Sequence, residues 1–307
     1  MTTDETRMKL WSIGGGKGGV GKSLITLGLG VALSRLGKRV ILIDGDLGGA
    51  NLHTLVGVRY PHITLEHFLT NKVSRLEDTI IETPLEGIGL ICGADDLLGV
   101  ANPSYTQKIK LLDQLEQLPA QYVLMDLGAG TSFNTLDFFN YCSGKIALFT
   151  SQATSLQNAY GFIKSALYRK VSREFAGDDE FFHLLYGEGE ARGGKSIPLI
   201  KDILNYFEDT NPEKWVLLTR LLRNFHLFLV LNMVQSKGDL KNADIIVSLC
   251  QNYLIIQPEI MGYVPFDAGV EPAMDQTIPF FLYQRKSKAM AVLDQIALRL
   301  VEETKIL

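Results

Sequence analysis

Residues 16–23 read Gly-Lys-Gly-Gly-Val-Gly-Lys-Ser, and they stand between a short apolar segment (residues 9–13) and a helical pattern that continues to about residue 36. This order of strand, glycine-rich loop and helix is the setting in which phosphate-binding loops occur. The glycines let successive backbone N–H groups turn inward around phosphate oxygens, and the positive end of the following helix adds to the attraction. We therefore predict that this loop binds the phosphates of a nucleotide.

The polar residues of the loop have separate predicted roles. Lys22 would reach the β- and γ-phosphates, and the hydroxyl of Ser23 would bind Mg²⁺. A second lysine, Lys17, has no carboxylate close to it in sequence, and a lysine beside a phosphate cage is most simply explained by contact with more phosphate. The predicted nucleotide-binding residues of the loop are Gly16, Gly18, Gly19, Val20, Gly21, Lys22 and Ser23.

Apolar segments alternate with helical patterns along most of the chain. The predicted strands after the loop are residues 40–43, 90–92, 122–125, 146–149, 227–231 and 260–264. Strands separated by helices predict right-handed βαβ crossovers, and hence a mostly parallel, twisted sheet with helices on both faces. We therefore expect an α/β fold, with residues 1–307 forming a single domain.

Residues 176–224 interrupt this alternation. The first part, residues 176–196, is rich in glycine and charge and is predicted to be a loop. Two amphipathic helical segments follow, and they are divided at Asn211-Pro212, because a residue before proline avoids helical geometry. We predict a helical insertion into the parent domain, which either packs on that domain or offers a docking surface.

The loop with its two lysines resembles the deviant P-loop of the MinD/ParA family of ATPases. In that family the first lysine crosses a dimer interface to the phosphates of the partner subunit. The resemblance implies an ATP-dependent homodimer in which Lys17 contacts the partner's nucleotide. It also implies a slow, Mg²⁺-dependent hydrolysis of ATP to ADP that an activating protein stimulates.

Three aspartates follow predicted strands beside the loop. Asp44 and Asp46 stand at the end of the second strand, where Mg²⁺ and the attacking water have to be held. Residues 44–51 resemble the first switch of the family, in which Asp46 would orient the water and Asp44 would support the metal shell. Residues 126–130 resemble its Walker B aspartate and second switch, so that Asp126 would hold a metal-bound water. The predicted metal-site residues are Ser23, Asp44, Asp46 and Asp126, and the predicted catalytic residues are Lys17, Lys22 and Asp46.

The C-terminal third contains the predicted base-binding residues. Asn232 resembles the strand-end asparagine that contacts adenine, since an amide can donate and accept in one plane. Pro265 and Asp267 lie in a tract that resembles the loop packed near the base. Together with residues 278–282 and a helix at 285–303, this tract is most similar to the MinD and FlhG/FleN branch. That branch positions division or flagellar machinery, so we expect a protein activator or cargo as a partner.

Alternative functions of the same fold stay open at this point. A ParA-type partitioning ATPase would need a basic strip for DNA, and residues 285–288 are the only dense candidate, so DNA binding is not expected. A nucleotide-locked scaffold with little turnover is disfavoured because both switch aspartates are present. The iron–sulfur branches need cysteines after Asp126 or in a C-x-x-C pair, and the sequence has neither.

Composition limits where the chain is expected to act. Its 307 residues are 46% hydrophobic and carry a net charge of −4, which gives no global attraction to nucleic acid or an anionic membrane. The three cysteines are far apart, as in proteins of a reducing compartment. Since the start has no signal-peptide pattern either, we expect a cytoplasmic protein. Peripheral membrane contact gains no support from the acidic Glu302-Glu303 near the C-terminus.

Overall fold

A single eight-stranded sheet forms the centre of the molecule in the computed structural model, which describes residues 8–93, 103–186, 199–270, 272 and 287–303. The strands are β1 (Lys9–Gly14), β2 (Val40–Gly45), β3 (Ile80–Glu82), β4 (Ile88–Ile91), β5 (Tyr122–Leu127), β6 (Gly144–Thr150), β7 (Phe228–Val234) and β8 (Glu259–Pro265). Their order is β3-β4-β2-β5-β1-β6-β7-β8. Every neighbouring pair is parallel except β3 and β4.

Helices cover both faces of the sheet. They are α1 (Lys22–Arg35), α2 (Leu52–Val56), α3 (Leu65–Leu69), α4 (Tyr105–Leu115), α5 (Phe133–Tyr141), α6 (Ala153–Glu174), α7 (Asp179–Tyr186), α8 (Ile200–Thr210), α9 (Pro212–Arg223), α10 (Lys241–Leu249) and α11 (Lys288–Glu303). Alternate residues of β2 enter two separate apolar clusters, with Ile41 in the cluster of α4–α9 and Leu42 in the cluster of α1 and α11. The predicted parallel sheet with helices on both faces is therefore confirmed.

The predicted strands all exist, and the structure extends most of them by one to three residues. The three-residue edge strand β3 was not predicted, because it is too short to show an alternating pattern. It pairs antiparallel with β4 between Ile80 and Ile91. The predicted C-terminal helix is found as α11, and its buried Leu293 and Ile296 pack in the cluster of α1.

The prediction of a loop at 176–196 is wrong for its first part, because α7 lies there. Phe181 and Leu185 are four residues apart on α7 and are both buried. The ring of Phe181 stacks on that of Phe175 with 4.5 Å between centroids. Aromatic burial thus stabilises a helix in a segment whose glycine and charge content is typical of loops. Residues 187–196 of the predicted loop lie outside the described residues.

The division of the next two helices at Asn211-Pro212 is confirmed. Pro212 begins α9, and the side-chain oxygen of Asn211 caps it by accepting a hydrogen bond from the Lys214 N–H at 3.2 Å. Buried Phe207 of α8 and Leu218 of α9 belong to the same apolar cluster as α6. The apolar faces of both helices therefore pack on the parent fold. Within the described ranges, no helix is long and apolar enough to cross a bilayer.

Candidate functional site

The glycine-rich loop joins β1 to α1 at the edge of the sheet where the parallel strands end. Gly21 precedes α1 with a φ of 92°, a left-handed conformation that favours glycine. A Cβ on Gly16 would lie 2.0 Å from the carbonyl oxygen of Asn158 on α6, so only glycine fits there. A Cβ on Gly18 would meet no described heavy atom within 4 Å. The loop is therefore pressed against α6 on one side and open on the other, as a phosphate cradle requires.

Two buried carboxylates face each other beside this loop. Asp44 on β2 and Asp126 on β5 are register partners in neighbouring strands, and their exposed fractions are 1% and 3%. Burial raises the pKa of Asp44 to about 6, although the backbone N–H groups of Leu52 and Asp46 donate to it at 2.9 and 3.1 Å. Backbone N–H groups, rather than a cationic side chain, thus oppose the effect of burial on Asp44.

The second carboxylate connects the strand edge to helix α1. Burial raises the pKa of Asp126 to about 7, and the charge of Asp44 adds to this rise. Hydrogen bonds from Ser23 and Thr26 act in the opposite direction, and the Thr26 hydroxyl lies 3.4 Å from the carboxylate. The predicted metal-site residues Ser23 and Asp126 are thus in direct contact.

Lys22 and Asp46 complete the centre of the site. Burial lowers the pKa of Lys22, and the charges of Asp126 and Asp46 oppose that change. Asp46 also borders the second switch, because a Cβ on Gly128 would lie 3.0 Å from an Asp46 carboxylate oxygen. Gly130 of that switch donates its N–H to the carbonyl oxygen of Gly15 at 3.3 Å. The loop and both predicted switches therefore meet at one place.

Lys17 lies at the outer side of the loop and contacts its own chain. Its Nζ donates to the hydroxyl of Thr154, at the start of α6, over 3.2 Å. The predicted contact of Lys17 with a partner's phosphates stays a prediction, and in this conformation the ammonium group is held by α6.

Asn232 is buried at the end of β7, and its side-chain amide donates to the Val20 carbonyl oxygen of the loop at 2.8 Å. The next residue, Met233, has a φ of 57°, at an irregularity in the pairing of β7 with β8. Pro265 ends β8, and Asp267 accepts a hydrogen bond from the N–H of Gly269 at 3.0 Å. The structure thus joins Asn232 to the phosphate loop, whereas Pro265 and Asp267 lie at and beyond the end of the neighbouring strand.

Several contacts of this site were not predicted from the sequence. Thr26 follows Ser23 by three residues on α1, so helical spacing alone could have identified it as a neighbour of Asp126. Thr154 and Asn158 reach the loop from α6, more than 130 residues away along the chain, and no local pattern marks them. Met233 carries no sequence signal for its left-handed backbone.

The residues present fit a nucleotide with Mg²⁺. The hydroxyl of Ser23 and the carboxylates of Asp44 and Asp126 are hard oxygen donors, which Mg²⁺ prefers. In the part of the chain that the structure describes, no three His, Cys, Asp or Glu side chains are grouped so as to hold a metal ion. Such an ion would therefore depend on phosphate oxygens and water for most of its ligands, which is how Mg²⁺ is usually held beside a nucleotide.

Comparisons with known proteins agree with this geometry. A profile of the family described as CobQ/CobB/MinD/ParA nucleotide binding domain matches residues 11–280. The fold is similar to that of the septum site-determining protein MinD of Pyrococcus horikoshii in complex with Mg-ADP, with a TM-score of 0.66 and 21% identity over 97% of this chain and 98% of that one. The cell division ATPase MinD of Pyrococcus furiosus gives a TM-score of 0.65 and 20% identity, covering 96% and 98% of the two chains.

Curated relatives cover a smaller part of the sequence. The chain is 29% identical over 155 residues to the antiactivator FleN of Pseudomonas aeruginosa, a match that covers 50% of this chain and 54% of FleN. It is 31% identical over 163 residues to the flagellum site-determining protein YlxH of Helicobacter pylori, covering 51% and 53%. The chain thus matches about half the length of these two relatives.

Proposed function

Because the chain belongs to the CobQ/CobB/MinD/ParA nucleotide-binding family, we propose that it is a Mg²⁺-dependent ATPase that dimerises when it binds ATP. One observation carries the proposal: an open glycine loop, a partly buried lysine and two buried aspartates of raised pKa meet at the same strand edge. Phosphate groups suit the loop and Lys22, and a divalent cation suits the aspartates. A nucleotide triphosphate with its metal ion provides both.

In this proposal each residue of the site has a distinct task. The loop N–H groups and Lys22 bind the phosphates and stabilise the charge that moves towards the β-phosphate during cleavage. Asp46 orients the attacking water. Ser23, Asp44 and Asp126 hold Mg²⁺ directly or through water, and the ion neutralises phosphate charge when it is bound. Because the pKa values of Asp44 and Asp126 are raised, metal binding would also release protons from them.

The dimerisation switch rests on the contacts between the loop and the second switch. Gly128 borders Asp46, and Gly130 is hydrogen-bonded to Gly15. Loss of the γ-phosphate would therefore disturb both switches together. Lys17 would leave Thr154 in the ATP-bound state and neutralise the phosphates of the partner subunit. Turnover would be slow until an activating protein binds.

The cellular role that we propose is the positioning or counting of an assembly. It is supported by the similarity to FleN, YlxH and MinD, whose names refer to flagellar sites, septum sites and antiactivation. The three cysteines are free and buried, which is compatible with action in the reducing cytoplasm. The partner would be a protein that stimulates ATP hydrolysis, or the cargo that is positioned.

The solution mass of the protein with ADP and with ATP tests this proposal. We expect a monomer with ADP and a dimer with ATP in the Asp46→Ala background, which should bind ATP but hydrolyse it at least roughly 100-fold more slowly. Adding Lys17→Ala should abolish the dimer, whereas Lys201→Ala, a change of an exposed lysine on α8, should leave it intact. A mass independent of nucleotide would contradict the dimerisation switch, and undiminished turnover in Asp46→Ala would contradict its catalytic assignment.

A further inference from the structure

A cavity of about 520 Å³ lies at the end of the sheet opposite to the nucleotide site. Phe228 and Glu259, the first residues of β7 and β8, line it. Near the other end of β7, Asn232 is hydrogen-bonded to the phosphate loop. We name this space the α9 cavity, because helix α9 forms one of its walls. Its volume is within the range of small-molecule sites, about 300–1,000 Å³.

The wall formed by α9 combines an apolar surface with two polar groups. Trp215, Thr219 and Arg223 are spaced four residues apart, and all three line the cavity. Residues at this spacing lie one above the other on a single face of a helix. An indole ring, a hydroxyl and a guanidinium group therefore follow one another along the wall over two helical turns.

The hydroxyl of Thr219 is buried and has no hydrogen-bond partner within the described structure. A threonine inside a helix can usually bond to the carbonyl four residues earlier, so an unpaired hydroxyl at such a position is uncommon. Thr219 is one of the lining residues, and a threonine in a helix has two accessible χ1 rotamers, so a rotation of this side chain would turn the oxygen into the cavity, where a bound molecule completes its hydrogen bonding.

The opposite wall has a strained backbone. Cys250–Leu254 form a π-helical turn, and Ile255, which lines the cavity, follows it with a φ of 55°. A left-handed conformation is an outlier for a β-branched residue, and both this strain and π-helical turns are concentrated at binding sites. The strained wall and the unpaired hydroxyl are independent indications that the cavity is a binding site.

Several basic groups lie in or next to the lining of the cavity. Arg223 is exposed and forms no ion pair with any described residue. Burial lowers the pKa of His226, the charges of Lys145 and Lys170 lower it further, and the charges of Glu259 and Glu303 oppose this change. These two lysines lie 5.9 and 5.7 Å from the ring of Phe225, another residue of the lining.

Among the described lining residues Glu259 is the one carboxylate, and it is 3.9 Å from the guanidinium of Arg299. The negative charge of Glu259 is therefore partly compensated by Arg299. Arg223 is the charged group of the described lining that has no ion-pair partner, which favours an anion over a cation or a neutral ligand.

We propose that the α9 cavity binds a small carboxylate with an aromatic or branched aliphatic body. The carboxylate accepts hydrogen bonds from the Thr219 hydroxyl and the Arg223 guanidinium, and the apolar body packs on Trp215 and Phe228. This site is independent of the proposed ATPase cycle, since it lies at the other end of the strands and uses none of the nucleotide-site residues.

Fluorine NMR of the 5-fluorotryptophan-labelled protein tests the proposal, because the chain has only two tryptophans, Trp11 and Trp215. The probe is 4-phenylbutyrate, and the uncharged 4-phenylbutanamide serves as the matched ligand. We expect a saturable shift of the Trp215 signal, assigned with Trp215→Phe, and a smaller change at Trp11. The carboxylate should bind about 10-fold more tightly than the amide, since hydrogen bonds to charged groups are the stronger ones.

Two substitutions should separate the contributions of the polar groups. Thr219→Val keeps the side-chain shape and should weaken binding of the carboxylate about 10-fold, the effect of one hydrogen bond to a charged group. Arg223→Gln should remove the preference for the carboxylate over the amide, whereas Arg220→Gln, which changes an exposed residue outside the cavity lining, should not. No saturation up to about 10 mM, a level near the weak limit for ligands of this size, would overturn the proposal. Equal affinities for the acid and the amide would also overturn it, and so would unchanged binding of the acid to both Thr219→Val and Arg223→Gln.

Discussion

Asp126 and Asp137 are buried to the same degree, with 3% and 2% of their surface exposed, but the pKa values of their carboxyls are shifted in opposite directions. Burial raises the pKa of Asp126 to about 7. Burial also opposes ionisation of Asp137, but hydrogen bonds from Arg169 and Lys108 outweigh it and hold the pKa below its usual value. The two sites differ in the charges that surround them rather than in their depth.

The negative charge of Asp137 is fully compensated by neighbouring cations. Lys108 of α4 and both Arg169 and Arg173 of α6 donate to its carboxylate, so that it joins three helices. At the nucleotide site, by contrast, the charge of Lys22 is shared between Asp126 and Asp46, and Asp44 adds a further carboxylate. A fully paired buried charge holds elements together, whereas an under-compensated one is available for a ligand cation.

Asp137→Asn should show the largest effect, and it should be an effect on stability. Removing the carboxylate leaves the Lys108 ammonium buried without a counter-charge, which costs about 3 kcal/mol of unfolding free energy for a broken buried pair. The partial exposure of Arg169 and Arg173 moderates this loss. Urea denaturation would measure it, and Asp113→Asn, at an exposed position on α4, should change little. A loss below about 1 kcal/mol would contradict the structural role.

Asp126→Asn should have the reverse profile, with turnover reduced and stability kept. ATP hydrolysis should fall roughly 100-fold, the effect of removing a group that orients metal ligands. The unfolding free energy without nucleotide should stay the same or rise, because a neutral amide is easier to bury than a carboxylate whose charge is only partly compensated. Steady-state phosphate release and urea denaturation would give the two values. If the variant hydrolysed ATP normally but unfolded more easily, Asp126 would have a structural role like that of Asp137.

The free energy of unfolding should depend on pH through Asp126. Because the pKa of Asp126 is raised to about 7, the folded state binds its proton more tightly than the unfolded chain does. The resulting stabilisation is present below about pH 4 and is lost as the pH rises through 7. Without metal and nucleotide, wild type should therefore gain about 2 kcal/mol more than Asp126→Asn on acidification from pH 7.5 to 5.5. Equal gains in the two proteins would contradict the raised pKa.

The sequence predicted one of these aspartates and not the other, for a physical reason. Asp126 follows an apolar strand and precedes a glycine-containing turn, so that five consecutive residues indicate its position. The three cations around Asp137 are 29 to 36 residues away and come from two other helices. Their meeting depends on how α4, α5 and α6 pack, and no local pattern contains that information.

The difference between local patterns and contacts of distant residues also explains which other elements could be predicted. The sheet was predictable because strands and helices have periodic patterns that span many residues. Helix α7 was not predicted, since the packing of Phe181 on Phe175 outweighs a loop-like composition. The hydrogen bond of Asn232 to Val20 joins residues more than 200 positions apart, and the prediction that Asn232 contacts adenine rested on a family resemblance rather than on this contact.

Thr154→Val should have the smallest effect. It tests whether Thr154 restrains Lys17, the lysine that we propose to contact the partner's phosphates. Lys17 lies on the Thr154 hydroxyl at 3.2 Å, outside the carboxylate cluster. If this contact holds the lysine back from the dimer interface, its removal should lower the ATP concentration for half-maximal dimerisation about 2-fold, since an exposed hydrogen bond contributes roughly 0.5 kcal/mol. Sedimentation of the Asp46→Ala protein over a range of ATP concentrations would detect this shift. Thr154→Ser keeps the hydroxyl and should behave as wild type, so equal midpoints for the valine and serine variants would show that Thr154 does not restrain Lys17.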